Sequence, residues 1–186
     1  MQKLVSILLI LLLCLCALPI AAEESVSTAD APAVALPVSF ERYQAAYEAV
    51  IAANAPDAAV SWREAEQNGR TIRMAVISDA FVSVMALLEE GNVTELAVAV
   101  QAGLDQDTLY SFLSMAGYSA AALLVDDDTD ATAASIAAMN TVFDVFTAMT
   151  EGRAVDSILG LPGVISISAP DETSWQYYFS LKVVAE

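Results

Sequence analysis

The sequence predicts an α+β domain, a twisted antiparallel sheet of about six strands packed on one face by about three helices in the order α-ββββ-αα-ββ. Three observations carry that expectation. Apolar residues recur at helical spacing near residue 40 and again twice between residues 106 and 150. The dipeptides Asn68-Gly69 and Gly91-Asn92 each separate two apolar runs of strand length. Finally, residues 175–184 alternate between apolar and polar side chains, the pattern of a half-buried antiparallel strand.

Taken in order, Phe40, Tyr43, Tyr47, Val50 and Ile51 form one apolar helix stripe behind a candidate cap at Ser39, and Asn54-Ala55-Pro56 ends it. Val60–Glu66 and Thr71–Ser78 flank Asn68-Gly69, where both turn positions require positive φ. Phe81–Gln101 reads as the next hairpin. With Gly91-Asn92 at its turn, Leu87 faces Leu96 and Met85 faces Val98, while Ala86 with Ala97 and Val84 with Ala99 share the other face. That register gives one bulky face and one small face.

Two helices follow. The first, from about Gln106 to Leu124, carries Leu109, Phe112, Leu113, Met115 and Leu123. The second, from about Asp130 to Thr150, carries Ile136, Met139, Phe143 and Phe146, and Gly152 stops it. Strands then return at Val164–Ser168 and from Trp175 to Val184, where Tyr177, Phe179, Leu181 and Val183 should face the core. The 32 alanines between residues 23 and 186 fit helices that lie close to a sheet.

The N-terminus predicts export. Lys3 precedes an apolar run of 15 residues, Leu4–Leu18, and Pro19-Ile20-Ala21-Ala22 offers a small-residue cleavage site. A permanent span needs about 20 apolar residues, which disfavours an anchor. Cys14 and Cys16 each follow leucine rather than a small residue, so lipidation is not expected. Residues 1–22 are thus read as a signal peptide, 23–38 as a disordered Ala/Pro/Ser tether and 39–186 as one α+β domain, secreted or at the cell surface. No membrane insertion is expected after cleavage.

Composition removes many chemistries. The chain has no histidine, and both cysteines precede the expected cleavage, so serine–histidine triads, thiol nucleophiles and the usual zinc ligand sets cannot be built. Lys182 is the one lysine beyond the signal, and a serine–lysine dyad would have to use it. Paired carboxylates are the remaining acid–base device, with Glu64, Glu66, Glu89, Glu90 and Glu95 near the hairpin ends. They make a glycan hydrolase the rival to a non-enzymatic module. The 24 acids against 7 basic residues, net −17, oppose nucleic acid and anionic membranes.

The densest acidic run is Asp126-Asp127-Asp128-Thr129-Asp130. Counted from Asp126, acids fall at the first, third and fifth positions of a calcium loop, but Ala131 and Ala137 replace the glycine and glutamate that such a loop needs. No cofactor is therefore expected. Asp126, Asp128 and Asp130 would at most hold calcium weakly, and a helix cap from Asp128 or Thr129 is the favoured role. The expected function is a secreted binding module for an extracellular protein, peptide or glycan, or a homodimer. Its surface is read as Val84, Ala86, Ala97 and Ala99 with the acidic tips Glu89, Glu90 and Glu95.

Overall fold

The computed structural model describes residues 34–77, 83–102, 106–153, 155, 157–168 and 175–183. The signal sequence and residues 23–33 of the expected tether lie outside them. The elements are α1 (Phe40–Asn54), β1 (Val60–Gln67), β2 (Arg70–Ile77), β3 (Ser83–Glu89), β4 (Asn92–Ala102), α2 (Gln106–Ala121), α3 (Ala131–Thr150), β5 (Gly163–Ser168) and β6 (Trp175–Lys182). They make one six-stranded sheet in the order β1-β2-β3-β4-β6-β5, every neighbouring pair antiparallel. This is the α+β fold, in the element order expected.

Local chemistry explains the boundaries. The Ser39 hydroxyl accepts the Arg42 N–H and starts α1, and the N–H of Ala55 closes it on the Ile51 carbonyl. Asn68 (φ 54°) and Gly69 (φ 75°) form the first hairpin turn as expected. After α3, Gly152 takes φ 75°, and the N–H of Arg153 returns to the Ala148 carbonyl, which ends the helix. Residues 34–38 are docked rather than tethered. Val38 is buried, its carbonyl accepts the Val93 N–H, and Val34 and Leu36 pack on the core, so apolar burial extends the domain upstream of residue 39.

The second hairpin departs from expectation. Its turn is Glu90-Gly91, with φ 51° and 80°, one residue earlier than Gly91-Asn92. The register then shifts between Leu88 and Leu87: Leu88 pairs with Val93, but Leu87 pairs with Glu95, which leaves Thr94 as an extra residue in β4. The Thr94 hydroxyl donates to the Leu87 carbonyl across the bulge. Side chains alternate with a period of two, so one extra residue exchanges the two faces of β4. Val84 consequently pairs with Val98, Ala86 with Leu96 and Met85 with Ala97.

One face of the sheet meets the helices. Its central row runs Trp62, Ala75, Val84, Val98, Phe179, Ile165 from β1 to β5. These side chains join a single core cluster that contains buried residues from all three helices. Tyr177, Phe179, Leu181 and Val183 are buried there, as the alternation predicts. Helices α2 and α3 bury small side chains, among them Ala116, Ala120, Ala134 and Ala138, and they meet where Gly117 lies against Met139. A Cβ added at Gly117 would stand 2.1 Å from the Met139 sulfur. That close approach is what the alanine content supplies.

Helix α1 closes the core with aromatic rings. Tyr43 stacks on Tyr47 at 6.0 Å, and Trp62 meets Phe40 edge-on at 5.2 Å. The Trp62 indole N–H donates to the Glu48 carboxylate. Tyr43 is fully buried, and its hydroxyl shares a 2.9 Å hydrogen bond with Ser119 of α2. Burial pushes the Tyr43 phenol far above its ordinary pKa, and the Ser119 bond offsets only part of that, so the group stays neutral and needs a partner. Ser119→Ala is therefore expected to lower unfolding free energy by about 1–3 kcal/mol in urea titration, and adding Tyr43→Phe to restore part of the loss.

Candidate functional site

The second face of the sheet is the candidate site. Cross-strand partners share a face, so its rows follow from the register. One row is Met74, Met85, Ala97, Ser180 and Val164; another is Ile72, Leu87, Glu95 and Lys182; a third holds Ala99, Tyr178 and Ser166. The core cluster that contains the helices includes none of these side chains. Met74, Met85, Leu87, Ala99 and Tyr178 are half-buried, and Val76 and Val164 are 38% and 48% exposed.

Three features define the chemistry of this face. On β2 and β3 it is apolar, although an antiparallel sheet with helices on one face ordinarily turns polar side chains outward. Along its central row the side chains are graded by size: β2 and β3 contribute Met74 and Met85, whereas β4 and β6 contribute Ala97 and Ser180, with the larger Tyr178 and Val164 further out on β6 and β5. It is also poor in acid. In the three rows Glu95 is the one carboxylate, aligned with Lys182, and it accepts a 2.8 Å hydrogen bond from the buried Ser180 hydroxyl. Ser180 is thereby engaged with a carboxylate rather than poised beside Lys182 as a nucleophile.

The seven residues read from sequence as a surface are divided by the structure. Val84 and Ala86 are fully buried beneath the helices, while Ala97 and Ala99 lie on the opposite face. Glu89 and Glu90 are exposed at the hairpin tip, and Glu95 lies on the apolar face. The small face expected of an unbulged hairpin does not form, because Thr94 exchanges the faces of β4. Sequence reasoning missed Ile72, Met74, Met85, Leu87 and Tyr178. A signal for them was present: Val84–Leu88 is apolar at every position, which alternation on one covered face does not explain.

The remaining carboxylates are dispersed. Glu64 pairs with Arg73 and, like Glu66, has the strand parity of the helix side, opposite to Glu95. In the α2–α3 loop the acids serve the backbone. Asp126 accepts the N–H groups of Asp128 and Thr129 at 3.0 and 2.8 Å, and Asp130, rather than Asp128 or Thr129, caps α3 by accepting the Ala133 N–H at 2.8 Å. The helix starts at Ala131, in agreement with the start near Asp130 read from the sequence; only the capping residue differs. Among the described residues no group of three or more metal-ligating side chains converges, and no helix is long and apolar enough to cross a membrane. No family model, curated protein or solved structure matches the chain.

The bonds from the Asp128 and Thr129 backbone hold the Asp126 carboxyl below its usual pKa. A carboxyl depressed on folding stabilises the native loop above its unfolded pKa of roughly 3.9, and the contribution is lost as pH falls through the lower folded value. NMR titration should show Asp126 protonating below the ordinary aspartate range, and Asp126→Ala should raise amide exchange at Asp128 and Thr129.

Proposed function

We propose that this chain is an exported, non-catalytic binding domain that engages an extracellular partner through the helix-free face of its sheet. The observation that carries the reading is the apolar cluster Ile72, Met74, Met85 and Leu87 on the second face of the sheet, with helices on the other side only among the described residues. Strands that are apolar throughout are characteristic of sheets covered on both faces. Half-buried methionines fit such a role, since their flexible thioethers adapt to a partner surface. The apolar part of the face, Ile72, Met74, Met85 and Leu87, favours a protein surface over a glycan. Export rests on the N-terminal pattern of cationic end, apolar run and small residues.

A photo-reactive amino acid placed at Met85 tests the reading in cells that export the chain. Met85 should yield a cross-linked species of defined mass, while the same group at Ile136, 61% exposed on α3, should not. Equal labelling from both positions, or none from Met85 in a folded chain, would exclude the sheet face as the binding surface.

A further inference from the structure

We infer that the occupant of this face is a second copy of the same chain, packed sheet against sheet about a two-fold axis that runs along the strands between β3 and β4. The inference rests on the reading of the face as a docking surface, and three observations single out a second copy.

The first is shape. Along one row the side chains run Met74, Met85, then Ala97, Ser180, large on one side of the β3–β4 boundary and small on the other. A two-fold axis at that boundary sets β3 over β4 of the partner and β2 over β6. Each methionine then meets the small residue on the other copy, Met85 over Ala97 and Met74 over Ser180, and the reverse contacts follow by symmetry. Along this row the two copies thus interdigitate across the spacing of about 10 Å at which sheets stack, while in the next row Leu87 lies over Glu95 and Ile72 over Lys182.

The second is charge. The chain carries net −17, so contact between copies over most surfaces brings like charges together. The helix-free face is the exception. Its rows hold Glu95 with Lys182, and Arg63 of β1 shares the parity of Met74, so this face has no excess of negative charge. The third is area. Six strands about 4.8 Å apart and three rows about 6.8 Å apart give a flat footprint of roughly 600 Å². Two such footprints bury roughly 1,200 Å² in total, the lower edge of the range for specific stable interfaces.

Sedimentation equilibrium of the exported chain at micromolar concentration should give the mass of two chains, and Met85→Lys should give one chain with an unchanged circular-dichroism spectrum. A short bifunctional thiol reagent fixes the geometry without a charge in the face. No cysteine lies beyond Cys16, so Met74→Cys and Ser180→Cys are each the sole thiol of their exported chain. Mixed chains should be joined Met74 to Ser180, whereas neither should be joined to itself, because in this arrangement like positions stand about 14 Å apart along the sheet. A monomer at these concentrations, a dimer that survives Met85→Lys, or self-joined Met74→Cys chains would each overturn the second copy. A monomer whose Met85 photo-cross-links to a different protein would overturn this inference alone. A monomer without cross-links at Met85 would overturn the docking surface as well.

Discussion

The bulge at Thr94 is the constraint on which the arrangement of both sheet faces depends. Strand side chains alternate, so parity in a sheet propagates: once β4 is set against β3, β6 is set against β4 and β5 against β6. Without Thr94 as an extra residue, Leu96 and Val98 would share a face with Met85 and Leu87. The helices would then meet Ala97 and Ala99 from the central strand. The bulge instead gives the helices Leu96 and Val98 and leaves the methionines with alanines on the far side. The helix side thus receives the bulkier residues of β4, and the far side receives its alanines.

The helical layer obeys the same logic of size. On its sheet side it meets bulky residues, Leu96, Phe179 and Leu181, while α2 and α3 bury alanines and approach each other where Gly117 lies against Met139. Small residues between helices bring the two axes together, so that both reach the sheet. Tyr43 and Tyr47 of α1 fill the space this leaves beside Trp62, and the bond from Tyr43 to Ser119 fixes α1 against α2 where apolar packing alone has no direction. Desolvation makes that bond obligatory, because a buried hydroxyl without a partner is destabilising. Alanine content and the few aromatic anchors are therefore two halves of one packing solution.

Class, element order and most boundaries were legible because each rests on a local signal. Helical spacing marked α1, α2 and α3, Asn68-Gly69 marked the first turn, and alternation marked β6. The second hairpin failed for a physical reason. Glu90-Gly91 and Gly91-Asn92 are adjacent candidates for a two-residue turn, and a bulge carries no composition that separates Thr94 from its neighbours. Core burial of Leu96 and Val98 settles the choice, and that is a property of the assembled layers. The candidate surface inherited the same error, since residues two apart on β3 and on β4 keep their own faces while the pairing between the strands decides which faces coincide. The α2–α3 loop shows the milder form: capping by an aspartate was legible, but which one depended on Asp126 closing the loop first.

The acidic surface and the apolar sheet face are best understood together. A domain with so many carboxylates is kept from indiscriminate association by repulsion at most orientations. Where an apolar face is spared that charge, repulsion elsewhere becomes a source of specificity, because approaches that do not bury the face are disfavoured. The size gradient adds a second filter. A flat apolar sheet would accept many partners, but methionines on β2 and β3 beside alanine and serine on β4 and β6 admit a partner layer whose relief is the inverse. The size filter arises from the parity that Thr94 imposes, so the residue that gives the helices their core also shapes the surface left over.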